Sequence, residues 1–240
     1  MPQQRFVLLS TQRSGTHFFM STLRTRTSTY AYDEIFFEHA PSRKSSDDLL
    51  RGLAIFFGLK GYAPNTIHDA IGYGKSKPLR EMLSDGSMRA FAARGCTVHY
   101  NQGPLFHWAK FAEFLAANDI ALVHLVRRDA VRGAVSKYLL TNGGDCVPSA
   151  REGDVRRSAR KTRDVVARVR RDLAKTRVRV LDAYYEDLAE GDGGFAPAAA
   201  FLGVALDDAT GAVKAKLHPA TPSVRAYFET EAGVCPWKGA

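Results

Sequence analysis

The residue pattern at the start of the chain predicts a strand, a tight turn and a helix in immediate succession. The apolar run Phe6–Leu9 is typical of a buried strand, and it is followed by the polar stretch Ser10–His17, whose one glycine is Gly15. An apolar segment that can be helical comes next. Because a strand that turns directly into a helix is the first half of a βαβ unit, this feature favours a parallel sheet covered by helices.

The rest of the chain repeats this alternation. Further strand-like runs lie at 97–100, 121–126 and 178–181. Helix-like stretches lie at about 15–25, 47–57, 79–93, 105–118, 129–140, 155–175 and 196–203. The pattern predicts an α/β fold: a single domain over residues 1–240, with a central, mostly parallel sheet flanked by helices in three layers. Residues 58–78 are rich in Gly, Pro and Lys and predict a long loop or lid.

Composition argues against several classes of protein. The 240-residue chain is 45% hydrophobic, as is typical of a globular protein, and no apolar run approaches the roughly 20 residues of a membrane span. Residues 1–5 lead straight into the first strand, which argues against a secretory signal. The three cysteines, Cys96, Cys146 and Cys235, have the spacing of neither a disulfide framework nor a metal site. We therefore expect a cytoplasmic protein that binds no metal.

Most of the positive charge lies in one segment. Residues 151–179 contain 12 Lys or Arg and 4 Asp or Glu, a local net charge of +8 against +9 for the whole chain. Apolar residues recur in this segment at spacings of three and four, which favours a helix with one buried stripe and arginines on its remaining surface; they are Val155, Ala159, Thr162, Val166, Val169 and Leu173. The alternatives are binding of nucleic acid or an acidic membrane, and long-range attraction of an anionic cofactor.

The turn Ser10–His17 has the properties of an anion site. The first backbone N–H groups of a helix point at such a turn, and the helix dipole adds partial positive charge. Arg13 contributes a full charge, and Ser14 and Thr16 contribute hydroxyl donors. The turn lacks the spacing of a Walker A loop, and arginine rather than lysine supplies its charge. An ordinary βα connection is the alternative, whereas the chemistry favours a bound phosphate or sulfate.

A second group of anion-binding side chains follows the strand-like run 121–126. Arg127 and Arg128 end this run, and Ser136 lies eight residues beyond Arg128 on the next predicted helix. Arginine gives a forked, charged contact and serine a directional hydroxyl, so Arg128 and Ser136 can close on one anion. The alternative is a salt-bridged arginine pair beside a helix serine.

A third element, YYEDL at 184–188, comes soon after the run 178–181. A tyrosine such as Tyr185 at the carboxyl end of a strand can stack on a base. Glu186 and Asp187 suit the start of a helix, so capping alone could explain them. Because ligands of parallel sheets bind beyond the carboxyl ends of the strands, the three elements should share one crevice.

Together these segments resemble the PAPS-dependent sulfotransferases, especially the bacterial carbohydrate type that includes nodulation-factor and glycolipid sulfotransferases. STQRSGTHFF looks like their 5′-phosphosulfate loop, and HLVRRDAVRGAVS looks like their 3′-phosphate element. YYEDL followed by AAAFLGV looks like their adenine-side strand and helix. The three matches occur in family order over about residues 6–204. The resemblance implies a P-loop-like fold, PAPS as co-substrate, PAP as product and no metal.

The resemblance also implies a role for each matching residue. Arg13 would contact the 5′-phosphate and the oxygen that bridges phosphate and sulfate. The residues that would surround that phosphate with backbone and hydroxyl donors are Ser14, Gly15, Thr16 and His17. Arg128 and Ser136 would hold the 3′-phosphate, and Tyr185 would lie near the adenine.

The chain departs from the family pattern at several positions. Gln12 stands where proline is common, and Thr97 stands where related bacterial enzymes often have lysine. The segment 221–229 is divergent, and Arg225 is its candidate for a further 3′-phosphate ligand.

The implied reaction is in-line transfer of a sulfuryl group to a hydroxyl, and it needs a base that takes the acceptor's proton. Glu34, in YAYDEIFFE, matches the place of the family's base glutamate. The other candidates are His17, which also fits a phosphate-binding role, and His99, His107, Asp33 and Glu38.

Two other functions remain open from the residues alone. One is a P-loop-like nucleotide kinase or phosphotransferase. The other is a nucleic-acid-binding module that uses the basic segment 151–179. The resemblance favours a carbohydrate or other small-molecule acceptor, no specific nucleic acid and a possible homodimer.

Overall fold

A computed structural model describes residues 3–35, 46–62, 81–99, 108–142, 147–148, 151–189 and 192–207. Its five strands are β1 (Gln4–Ser10), β2 (Thr29–Glu34), β3 (Ala93–His99), β4 (Ile120–Val126) and β5 (Val180–Tyr184). They form one sheet in the order β2-β3-β1-β4-β5, and all four neighbouring pairs are parallel. The predicted α/β class with a parallel central sheet is confirmed.

Helices cover both faces of this sheet. The described helices are α1 (Thr16–Arg26), α2 (Ser46–Phe56), α3 (Trp108–Ala117), α4 (Ala130–Asn142), α5 (Glu152–Leu173), α6 (Tyr185–Ala189) and α7 (Ala196–Leu202), with 3₁₀ turns at Ser87–Ala90 and Asp192–Phe195. Side chains of β1 alternate between two buried clusters: Phe6 and Leu8 pack with α1, α6 and α7, whereas Val7 and Leu9 pack with α2, α3 and α5. This alternation produces the predicted three layers.

The sequence-based prediction missed β2 and placed the start of β3 at residue 97 rather than at Ala93. β2 is an edge strand whose polar sequence TYAYDE hides its pattern, although Tyr30 and Tyr32 pack against the core. Within the predicted helix 79–93, residues 81–84 are helical and β3 begins at Ala93. A buried arginine obscured this strand: Arg94 is only 5% exposed because its Nη1 donates to the carbonyl oxygen of Phe56, at the end of α2.

The basic segment forms an amphipathic helix, as its spacing predicts. Helix α5 buries Val155, Ala159, Val169 and Leu173, while most of its arginines are exposed. Several of these arginines pair with carboxylates on the same helix, as Arg156 does with Glu152 at 2.5 Å. None of the helices in the described ranges has both the length and the apolar character needed to cross a bilayer.

The carboxyl ends of the strands lie level along one edge of the sheet. Ser10, the last residue of β1, is in register with His99 of β3 and Leu125 of β4. Val126 is in register with Tyr184, the last residue of β5. This strand ends later than predicted, at residue 184 rather than 181. After β1 the chain continues to β2 on one side of the sheet's centre, and after β4 it continues to β5 on the other side. Because these two connections diverge, a crevice lies between the turns after β1 and β4.

Candidate functional site

The turn after β1 has an unusual backbone. Arg13 has a φ of 65° and Gly15 a φ of 84°, whereas Ser14 between them has no positive φ. Glycine adopts the left-handed region readily, but arginine there costs roughly 1–2 kcal/mol. Backbone nests, which contain left-handed residues, turn successive N–H groups toward one concave side and bind anions there. The strain at Arg13 therefore coincides with a shape that suits a phosphate.

The N-terminus of α1 opens onto this turn. Gly15 is the N-cap residue and has no side chain to cap the helix, and the first turn contains no acidic residue. The first intrahelical hydrogen bond runs from the amide of Phe19 to the carbonyl oxygen of Gly15, at 3.0 Å, so the preceding amides point out of the helix end. A helix end of this kind attracts anions through both its N–H groups and its dipole.

The hydroxyl groups of the turn have different surroundings. Ser14 is only 1% exposed, and its Oγ lies 2.5 Å from the Oγ1 of Thr11 in a hydrogen bond inside the turn. Thr16 is half-buried and His17 is exposed. In this conformation the Ser14 hydroxyl stabilises the turn from within, and Thr16 and His17 present the more accessible side chains.

Arg13 joins this turn to α4. Its Nε donates a hydrogen bond to the Oγ of Ser136, at 3.0 Å, across 123 positions of sequence. The sequence assigned these two residues to opposite ends of one ligand. The structure thus brings the turn after β1 and helix α4 into direct contact.

Arg128 has a carboxylate partner instead of Ser136. Its Nη1 and Nη2 donate to the two carboxylate oxygens of Asp187, the second at 2.7 Å, and its guanidinium lies 4.0 Å from the ring centroid of Tyr184. The hydrogen bond from Arg128 lowers the pKa of Asp187 below its ordinary value, so the pair stays ionised. Among the described residues, no hydrogen bond joins Arg128 to Ser136.

Glu186 occupies the amides at the start of α4. Its two carboxylate oxygens accept hydrogen bonds from the backbone N–H groups of Arg128, at 3.0 Å, and Asp129, at 3.2 Å. Glu186 and Asp187 lie in the first turn of α6, as the capping interpretation requires, and both also accept hydrogen bonds from residues that directly follow β4. The carboxylates of Glu186 and Asp187 therefore lie beside Arg128, the residue proposed to bind a 3′-phosphate.

Tyr185 packs directly on the turn Ser10–His17 that follows β1. A Cβ atom added to Gly15 would lie 2.1 Å from the Cδ2 of Tyr185, so only glycine fits beneath the ring. The same ring meets Phe18 edge-on, with centroids 6.5 Å apart. This contact makes the start of α6 part of the wall around the turn.

Arg127 also reaches the turn, a role that the sequence-based interpretation missed. Its guanidinium lies 4.8 Å from the ring centroid of Tyr185, and its Nη1 donates to the carbonyl oxygen of Arg13 at 3.2 Å. Two consecutive arginines after a strand point in different directions. The adjacent pair Arg127 and Arg128 was the feature of the sequence that indicated that one of them could face the turn.

The proposed base, Glu34, is the last residue of β2 rather than part of a loop. Its backbone pairs with Thr97, after a register shift between Tyr32 and Glu34, and Asp33 falls within that shift. Since neighbouring strands are about 4.8 Å apart, the end of β2 lies about 10 Å along the sheet edge from β1. This separation leaves room for an acceptor between the strand ends.

The remaining base candidates divide into buried and undescribed residues. His99 is 1% exposed, and its Nδ1 lies 3.2 Å from the Oγ of Ser10, in the position of a structural histidine. Thr97 is equally buried, and within the described part of the chain its Oγ1 has no hydrogen-bond partner. Glu38, His107 and Arg225 lie outside the described residues, as does most of the predicted lid, from residue 63 onward.

Ten chains of solved structure are significantly similar to this chain, and two of them are described as sulfotransferases. A sulfotransferase from Alicyclobacillus acidocaldarius is 16% identical over 94% of this chain and 89% of its own, with a TM-score of 0.49. The sulfotransferase domain from the olefin synthase of Synechococcus PCC 7002 is 14% identical over 100% of this chain and 83% of its own, with a TM-score of 0.43. No protein-family model matches the sequence, and no curated protein is significantly similar to it.

Proposed function

We propose that this protein is a PAPS-dependent sulfotransferase, which transfers the sulfuryl group of PAPS to a hydroxyl of a carbohydrate or another small acceptor. One observation carries the proposal. Arg13 of the anion-binding turn contacts Ser136, and Tyr185 packs on Gly15 of the same turn. Three segments far apart in sequence, each with the chemistry of one part of PAPS, thus meet at one edge of the sheet.

The residues of the turn fit the 5′ end of such a ligand. The turn combines a positive-φ backbone, an uncapped helix N-terminus and the guanidinium of Arg13. At the other end, Arg128 has five N–H donors and uses two on Asp187, so a 3′-phosphate would bind to the remaining donors or replace the carboxylate. The half-buried ring of Tyr185 supplies an aromatic surface beside the turn.

In the proposed mechanism the protein mainly orients the reactants and stabilises charge. PAPS, when bound, supplies the sulfuryl group and a leaving group that becomes more negative at the bridging oxygen. Arg13 would stabilise that charge as the S–O bond breaks, and the amides at the start of α1 would hold the 5′-phosphate in line with the attack. The parallel with phosphoryl transfer is close, since both reactions depend on alignment and charge neutralisation.

The binding of PAP gives the first test. A ligand that binds only the folded state at 100 times its Kd adds about 2.7 kcal/mol to the free energy of unfolding, so millimolar PAP should raise the melting temperature. Arg128→Ala should remove most of this shift. The matched control is Arg156→Ala, which breaks a similar exposed arginine–carboxylate pair on α5 and should leave the shift intact.

Two outcomes would contradict the proposal. The absence of a melting-temperature shift with either PAP or PAPS would exclude this co-substrate. Magnesium-dependent turnover of ATP would favour the kinase alternative instead. If PAP does bind, a panel of hydroxylated acceptors with radiolabelled PAPS identifies the substrate class.

The base is tested by Glu34→Gln. If Glu34 takes the acceptor proton, this variant should lose about 100-fold in kcat while the Kd for PAP stays the same. His17→Gln, in comparison, should weaken PAP binding because His17 lies at the phosphate turn. A Glu34→Gln enzyme with normal kcat would transfer the assignment to one of the other candidates.

A further inference from the structure

We propose that Arg127 is a positioning residue, which holds the backbone of the phosphate turn in its anion-binding shape. This inference rests on the proposed function, because it assigns the turn to the 5′-phosphate of the nucleotide. It separates the two adjacent arginines: Arg127 acts on the 5′ end through the turn, and Arg128 acts on the 3′ end.

The first observation concerns the strained residue of the turn. Arg13 has a left-handed backbone, and its carbonyl oxygen accepts a hydrogen bond from the Nη1 of Arg127 at 3.2 Å. A hydrogen bond to a charged donor is stronger than one between neutral groups. The contact therefore favours the unusual φ of Arg13, which in turn orients the amides that follow it.

The second observation is that Arg127 also supports the opposite side of the turn. Its guanidinium lies 4.8 Å from the centroid of Tyr185, and that ring packs on Gly15. One side chain thus contacts the carbonyl of the first left-handed residue and the ring that covers the second. Arg13 and Gly15 are fixed relative to each other through Arg127.

The third observation is the environment of Arg127 itself. Its Nε is buried and has no hydrogen-bond partner among the described residues, and burial lowers the pKa of its guanidinium. Arg128, in contrast, is about half exposed and is paired with Asp187. Arg127 is half-buried, and the nearby carboxylates of Glu186 and Asp129 do not fully offset the cost of that burial, so a bound phosphate next to the turn would stabilise the guanidinium further.

Three nucleotides that differ in phosphate position test the assignment. Arg127→Met keeps the length of the side chain and removes its donors. We expect this variant to bind AMP and PAP about tenfold more weakly than the wild type, by the same factor, because both carry a 5′-phosphate. Binding of adenosine 3′-phosphate should change by less than twofold. Kd values from isothermal titration calorimetry give the comparison.

Arg132→Met is the matched control. Arg132 is a nearby arginine on α4 whose buried Nε makes no hydrogen bond to a described residue and lies 3.7 Å from a carboxylate oxygen of Asp129. The variant Arg132→Met removes the same charge without changing the turn. The ratio of the Kd for AMP to the Kd for adenosine 3′-phosphate should therefore stay the same. Arg127→Lys keeps a donor and a charge, and should recover part of the lost AMP affinity even if Arg127→Met folds poorly.

The outcomes separate this inference from the proposed function. If the wild type bound neither AMP nor PAP, the proposed function would be wrong, and the positioning role of Arg127 would be wrong as well. If the wild type bound PAP but Arg127→Met weakened all three ligands equally, or none, Arg127 would have a general structural role and only the positioning assignment would be overturned.

Discussion

Replacement of Arg13 with alanine is expected to lower kcat for sulfuryl transfer by about 1,000-fold, the upper range for removal of one transition-state donor. The guanidinium lies at the rim of the turn, exposed and bonded to Ser136 through its Nε, so its Nη groups can face a ligand in the turn. Charge on the bridging oxygen grows only as the S–O bond breaks. The effect on kcat should therefore exceed the effect on the Kd for PAP.

Two further variants identify what the guanidinium contributes. Arg13→Lys keeps the charge but loses the fork and the geometry of the bond to Ser136, so it should recover only part of kcat. Ser136→Ala leaves Arg13 in place and should mainly weaken PAP binding. Rates measured with radiolabelled PAPS and a fixed acceptor give the comparison. If Arg13→Ala raised only KM, its role would be restricted to binding.

Gly15→Ala should abolish binding of both AMP and PAP. The new Cβ would lie 2.1 Å from Cδ2 and 2.6 Å from Cε2 of Tyr185, so the ring has to move. Gly15 also has a φ of 84°, which costs an alanine roughly 1–2 kcal/mol. The alanine can relieve the backbone strain only by rotation of φ, which redirects the amides of the turn. It can relieve the clash only by displacement of the Tyr185 ring, which then no longer packs on the turn. Calorimetry with AMP measures the loss directly.

A control glycine distinguishes this local effect from a general one. Gly153 lies in the first turn of α5, has no atom within 4 Å of an added Cβ, and is not a positive-φ residue. Gly153→Ala should therefore keep full AMP binding and gain slightly in stability. The double variant Gly15→Ala, Tyr185→Ala removes the steric clash but keeps the φ strain, so it should stay defective. Full recovery in the double variant would mean that the backbone conformation of the turn is unimportant.

The sequence predicts the layers of this fold well because the responsible residues have simple periods. β1 and β4 are apolar runs buried on both faces, and the spacing of Val155, Ala159, Val169 and Leu173 locates the buried side of α5. β2 and β3 were harder to recognise for opposite reasons. β2 is an edge strand made of polar and aromatic residues, and β3 contains a buried arginine whose partner, the carbonyl of Phe56, cannot be inferred from sequence.

For the candidate site, the sequence indicates the individual residues but not the contacts between them. The turn, Arg128, Ser136 and Tyr185 are recognisable because each follows a predicted strand in a known order. Their mutual contacts depend on side-chain direction, which sequence does not give. The local sequence pattern does not indicate that Arg13 donates a hydrogen bond to Ser136 or that Arg128 pairs with Asp187. It also does not indicate that Arg127 donates to the carbonyl oxygen of Arg13.

The level ending of the strands gives an unexpected importance to the edge strand β5. Tyr184 ends β5 in register with Val126, and the next residue, Tyr185, lies over Gly15. This register is determined by the pairing of β5 with β4 and by the side chains that β5 buries, such as Ala183. A single residue inserted or deleted within β5 would shift the end of the strand by about 3.3 Å relative to β4 and exchange the faces on which the following side chains point. The register of this edge strand thus determines how far Tyr185 lies from the turn after β1.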